Sequence, residues 1–129
     1  MSEILYKTES YDIIGSCFNV YNNIGHGLLE PIYQEALELE FDEQLVPFES
    51  QKELDIYYCG TLLKKKYIPD FICHGKIIVE IKSVKVLMPE HEAQFFNYLR
   101  INGLKLGLLV NFGTYPKIEY KRVVCNTNL

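Results

Sequence analysis

Asp70, Glu80 and Lys82 are the residues of this chain whose types and spacing best fit catalysis. Glu80 and Lys82 fall two apart in the run Lys76-Ile77-Ile78-Val79-Glu80-Ile81-Lys82. On a strand alternate side chains share a face, so Ile77, Val79 and Ile81 point one way and Ile78, Glu80 and Lys82 the other. The two charges then stand roughly 6–7 Å apart by strand rise. Charges in a stretch otherwise fit for burial are paired or metal-bound. Asp70 heads the preceding strand. Two carboxylates at one point repel, one tends to stay protonated, and a divalent cation removes that conflict. Oxygen donors suit Mg²⁺ or Mn²⁺ rather than zinc. Lys82 has no place as a ligand; it would orient or activate an attacking water, or stabilise developing negative charge. The same pattern also fits a buried Glu80–Lys82 ion pair with Asp70 closing a strand end.

Whether Asp70 reaches Glu80 depends on the turn between them. A two-residue turn at His74-Gly75 pairs Asp70 with Val79 and aims it away from Glu80. A three-residue loop, His74 to Lys76, pairs Asp70 with Glu80 on one face, and such loops with a glycine are common. A bulge restores the same phase. One of these two is expected, because the two-residue turn destroys the site.

The elements that must hold these residues follow from periodicity. A helix is expected over 10–24, capped by Ser10, with Ile13, Cys17, Val20 and Ile24 at helical spacing. A second runs from Pro31 to about Gln44, with Ile32, Ala36 and Leu39 on one stripe and Tyr33 and Leu37 beside it. Strands are expected over 48–58, 64–73 and 76–83, a third helix over 90–102, and strands over 104–110 and 117–124. The order α-α-β-β-β-α-β-β predicts an α/β fold, a mixed sheet of about five strands flanked by helices, whose crossover helix allows one parallel pair.

The chain has 129 residues, 48% hydrophobic and 23% charged, which suits a single domain over 1–129. No apolar run reaches the roughly 18 residues of a membrane span. Residues 1–10 carry Glu3, Lys7 and Glu9 without an apolar signal core. Cys17, Cys59, Cys73 and Cys125 are widely spaced and read as reduced thiols, so a cytoplasmic protein is expected. The net charge of −4 argues against a protein that holds nucleic acid by charge alone, unless a metal offsets local acidity.

Longer motifs add a resemblance. Gly27-Leu28-Leu29-Glu30-Pro31-Ile32-Tyr33 resembles the motif of the GxxExxY family of small bacterial and archaeal proteins. Ile68-Pro69-Asp70-Phe71 is similar to that family's aspartate strand and Val79-Glu80-Ile81-Lys82-Ser83 to its ExK strand. His91-Glu92-Ala93-Gln94, Asn97-Tyr98-Leu99, Leu108 to Gly113 and Lys121-Arg122 resemble later segments, so the likeness covers roughly residues 9–124. The family in turn resembles the PD-(D/E)xK nuclease superfamily. The resemblance implies a restriction-endonuclease-like core and a metal held by Asp70, Glu80 and the backbone carbonyl of Ile81. It implies Lys82 as the catalytic lysine, Glu30 as a further acidic residue toward a second metal or a metal-bound water, and Gln94 as a supporting polar residue. Pro31 disfavours helical geometry at Glu30 and would place it at the N-cap.

These expectations converge on a Mg²⁺- or Mn²⁺-dependent nuclease acting on nucleic acid, DNA before RNA. The alternative is a catalytically silent nucleic-acid or protein interaction module, with a homodimer or protein partner possible in either case. His91 and Tyr98 would line the cleft beside Gln94 or be ordinary helix residues. His26 would touch substrate or be an exposed loop residue. Tyr33 reads as core. Lys64-Lys65-Lys66 would meet phosphates or protect a strand edge. Lys85, Arg100, Lys105, Lys121 and Arg122 would add to a basic rim if they converge.

Overall fold

The computed structural model describes residues 4–126; residues 1–3 and 127–129, at the ends of the expected 1–129 domain, lie outside the described residues. The elements are α1 (Lys7–Ile24), α2 (Glu30–Glu43), β1 (Phe48–Ser50), β2 (Tyr57–Tyr58), β3 (Thr61–Leu62), β4 (Phe71–Cys73), β5 (Ile77–Lys82), α3 (Pro89–Ile101), β6 (Leu106–Asn111) and β7 (Glu119–Val124). Five strands form one mixed sheet in the order β1-β4-β5-β6-β7. β5 and β6 run parallel and the other pairs antiparallel. A parallel pair needs a crossover, and α3 supplies it.

The period-2 pattern of β5 splits the core in two. Ile77, Val79 and Ile81 join the α1 and α2 side, with Ile13, Cys17, Tyr33, Leu37 and Phe41. Ile78 joins the α3 side, with Ile72, Phe95, Leu99 and Leu109. β6 is buried along its whole length, as a central parallel strand covered on both faces must be. Its Gly107 lets α3 come close: a Cβ there would stand 2.3 Å from the Phe95 ring.

Three local expectations are corrected. α1 begins at Lys7, so Ser10 lies inside it; its hydroxyl bonds back to Tyr6 O at 2.8 Å and accepts from Arg122 Nη1 at 2.8 Å. Serine can satisfy itself within a helix in this way, and the arginine holds it there. On α2 the buried stripe is Tyr33, Leu37 and Phe41, while Ile32 and Leu39 face outward. Apolar side chains wrap over half of this helix, and the sheet takes the aromatic row. Finally, the expected strands 48–58 and 64–73 each break. Tyr57–Tyr58, at the end of the first, instead pairs with Thr61–Leu62, which precede the second, in a separate ribbon of β2 and β3 turned at Cys59-Gly60 with both φ positive (49° and 79°). The ribbon is rooted by the Leu54–Tyr67 bridge.

Among the described residues no helix is long and apolar enough to cross a membrane. No disulfide joins the cysteines; Cys17, Cys73 and Cys125 are buried and Cys59 is exposed.

Candidate active site

The hairpin between β4 and β5 uses the three-residue loop. Cys73 pairs with Ile77, so His74, Gly75 and Lys76 form the turn, with φ of 54° and 68° at the first two. Phe71 pairs with Val79, and one further step sets Asp70 against Glu80. The two residues touch: Asp70 N–H donates to Glu80 Oε1 at 3.2 Å. The Asp70 carboxylate accepts the Ile81 N–H through Oδ2 at 2.7 Å. The condition that the sequence set for a working site is met.

Pro69 ends the β4 ladder here. The N–H and carbonyl of one strand residue face the same neighbour, so the Ile81 carbonyl turns toward the same side as its N–H. Its ladder partner by continued register is Pro69, which has no N–H to give. On the other edge the ladder closes normally, with Phe112 N–H donating to Lys82 O at 2.8 Å. The proline thus leaves a main-chain oxygen beside two carboxylates.

Burial raises the Glu80 pKa to about 7, the charge of Asp70 adds to the rise, and hydrogen bonds from Tyr67 and Asp70 N–H and the charge of Lys82 oppose it. Asp70 is also raised, first by burial; the Ile81 N–H opposes, the Glu30 charge adds, and Lys82 opposes. The carboxylates therefore resist joint ionisation, which is the conflict a divalent cation relieves. Lys82 is half-buried and forms no salt bridge among the described residues. The alternative of a closed Glu80–Lys82 ion pair is not what is built; the ammonium acts on both carboxylates through space and keeps its donors.

Tyr67 was not legible as a site residue. Its hydroxyl donates to Glu80 Oε1 at 3.0 Å, and its ring stacks on Tyr98 at 3.9 Å between centroids. Burial and the Glu80 charge push its phenol well up, so it remains a donor. Tyr98 thus backs the Glu80 side of the site from α3. Gln94, one turn earlier, is exposed and hydrogen-bonds to none of the site residues. His91 is used at the start of α3, where Nδ1 accepts Met88 N–H at 3.1 Å.

Glu30 lies in the first turn of α2, with Leu29 at the N-cap and Pro31 directly after it, rather than at the N-cap itself. The first turn tolerates proline because its N–H groups lack helical partners anyway. Glu30 Oε2 accepts the Ser83 N–H at 3.3 Å, just past the ExK residues. The rest of the glycine-to-tyrosine motif anchors this helix start. Tyr33 is buried, stacks on Phe112 at 4.3 Å, donates to Gly25 O at 2.7 Å and accepts from Leu28 N–H at 3.1 Å. It is core, as the sequence suggests.

Among the described residues no group of three or more His, Cys, Asp or Glu side chains is arranged to hold a metal. The donor set at this point is two carboxylates and a main-chain oxygen, with Glu30 alongside. All are hard oxygen donors and fit a Mg²⁺-type cation, which retains several waters and takes only one or two carboxylates.

Two of the basic residues, Arg122 and Lys66, are engaged within the fold. Arg122 turns inward, with Nη2 donating to Leu5 O at 2.8 Å. Lys66 pairs with Asp55, while Lys64 and Lys65 are exposed in an irregular segment before Tyr67 rather than on a strand edge.

A family model described as the PD-(D/E)XK nuclease superfamily matches residues 7–123. No match was found among curated proteins. The fold is similar to the crystal structure of SSO0001, with TM-score 0.60 and 23% identity over 96% of this chain, which spans 60% of that one. It is also similar to an alkaline exonuclease (LHK-Exo) from Laribacter hongkongensis, with TM-score 0.54 and 11% identity, covering 98% of this chain and 73% of that one. At these identities both show the fold. With the family's sequence pattern spanning nearly the whole chain and the hairpin built as that pattern requires, this chain belongs to the PD-(D/E)XK nuclease superfamily.

Proposed function

We propose that the chain is a metal-dependent nuclease that hydrolyses phosphodiester bonds of nucleic acid, DNA before RNA, in a cytoplasmic setting. The observation that carries this reading is the meeting of Asp70, Glu80 and the Ile81 main chain at one hairpin end, with Lys82, which forms no salt bridge among the described residues, next along the strand. Asp70, Glu80 and Ile81 O would hold Mg²⁺ or Mn²⁺, with Glu30 toward a second position or a bound water. When bound, the cation would neutralise the scissile phosphate and acidify a water. Lys82 positions that water or meets the developing charge on a phosphate oxygen. Tyr67 and the Ile81 N–H fix the two carboxylates, so little reorganisation is needed on reaction. Gln94 would act only after moving or through substrate. The match of Gly27, Glu30 and Tyr33 supports placing the chain in the GxxExxY branch.

The net charge of −4 favours a second reading, an interaction module without catalysis. A screen of single-stranded, duplex and branched substrates with Mg²⁺ or Mn²⁺ separates the two. The nuclease reading expects cleavage that Lys82→Ala abolishes with folding unchanged. Cation binding without cleavage of any substrate would favour the module.

A further inference from the structure

The parallel strands β5 and β6 end side by side at Lys82 and Asn111. In open α/β sheets the crevice beyond the carboxyl ends of such strands is where ligands bind. Here that crevice is a cleft lined by His26, Ser83, Lys85, Thr114 and Tyr115, and it begins one residue after Lys82.

Its walls are fixed. Asn111 is fully buried and staples both loops: Oδ1 accepts the N–H of Val84 at 3.0 Å and of Gly113 at 2.9 Å, and Nδ2 donates to Val84 O at 2.9 Å. The loops lie so close that a Cβ on Gly113 would stand 2.2 Å from Val84 O. Tyr21 also holds the second loop, donating to Thr114 O at 2.6 Å, and the third wall is tied down by Gly27 N–H donating to Phe112 O at 2.9 Å.

Charge gives the cleft its occupant. The cleft against α2 is lined by Asp70 and Glu30, which the proposed cation would offset, and also by Glu35 and Glu38, with no cationic side chain among its lining residues. A polyanion running past Glu35 and Glu38 meets uncompensated negative charge. The cleft beyond Lys82 has no carboxylate in its lining and offers Lys85 and an aromatic pair, His26 against Tyr115 with centroids 4.9 Å apart, while the Ser83 and Thr114 hydroxyls donate to Leu28 O and Lys117 O. Tyr115 is 76% exposed, so one face of its ring is open to a planar partner. We infer that this cleft binds the nucleic-acid strand adjoining the scissile phosphate, with a base stacked on the open face of Tyr115, His26 against that ring, and a phosphate at Lys85. The inference rests on the nuclease reading of Asp70, Glu80 and Lys82 and adds the direction in which the strand leaves them.

The test uses the full chain and a short fluorescent oligothymidine, with Ca²⁺ present, read by anisotropy. Tyr115→Ala should weaken binding by about five-fold or more, the scale of one lost base stack. Tyr115→Phe should restore it. Lys85→Gln should reduce the salt dependence of binding. Tyr11, equally exposed at 78% but on α1, serves as control, and Tyr11→Ala should change nothing. Hydrolysis of bis(p-nitrophenyl) phosphate by the parent reads the carboxylate site separately from oligothymidine binding. Unaltered oligothymidine binding in both Tyr115→Ala and Lys85→Gln, or no binding by the parent, would overturn the inference even if cleavage is metal-dependent. Binding lost in Tyr115→Ala, with no phosphodiester hydrolysed by the parent, would support the cleft and remove the nuclease reading instead.

Discussion

Tyr67 and Glu80 form a hydrogen-bonded pair of 3.0 Å in which the phenol is the donor and the carboxylate the acceptor. The bond favours the charged form of Glu80 against the burial that raises its pKa. Tyr67→Phe removes that opposition, so Glu80 should hold its proton to still higher pH. The pH at which cation binding reaches half its maximum should rise, as read by calorimetric titration with Mn²⁺ over a pH series. The cost in folding should be modest, about 1 kcal/mol for one net hydrogen bond. An unchanged pH profile would mean that this bond does not set the ionisation of Glu80.

The raised pKa of Glu80 also makes a statement about stability. The folded value is about 7, above the ordinary 4.5, so the folded state binds the proton more tightly than the unfolded chain. For such a group stability is greatest below the unfolded value and falls as pH rises through the folded one. Without a divalent cation, the protein should therefore lose stability between about pH 4.5 and pH 7. Glu80→Gln should flatten most of that fall, leaving a residual slope of the same sign from Asp70, which is shifted the same way. Thermal melts at pH 5 and pH 8 compare the two proteins. A parent that is no less stable at the higher pH would contradict the burial argument.

Side chains two residues apart on α2 should differ sharply. Leu37 is 0% exposed and Leu39 is 69% exposed. Leu37→Ala should cost about 2–5 kcal/mol by leaving a cavity under the sheet. Leu39→Ala should stay within about 0.5 kcal/mol. Chemical denaturation measures both, and equal losses would mean that the helix presents the face expected from the sequence rather than the one described above.

The candidate trio of Asp70, Glu80 and Lys82 was legible because a strand's period of two leaves little freedom. Once Glu80 and Lys82 share a face, only the turn remains to be settled. The turn was legible as a condition, since the sequence shows His74-Gly75 but not whether Lys76 joins the loop. Positive φ at both His74 and Gly75, closed by Lys76 N–H on Cys73 O, decided it. Tyr67 was not legible, because it sits in an irregular stretch and its value comes from contacts far away in sequence, with Glu80 and Tyr98. The α2 face was misread for a related reason. Ile32, Tyr33, Ala36, Leu37, Leu39 and Phe41 spread over too wide an arc for periodicity to choose, and packing against Phe71 and Phe112 chose the aromatic row. The helical start at Lys7 depended on Arg122, which lies at the other end of the chain.

The account stands on one hard cation held by the end of a single hairpin. A crystal soaked in Mn²⁺ and measured for anomalous scattering addresses that directly. The account predicts a peak within coordination distance of the Asp70 and Glu80 carboxylates and the Ile81 carbonyl, lost in Asp70→Ala crystals. No peak there, or a peak that persists unchanged in Asp70→Ala, would contradict it.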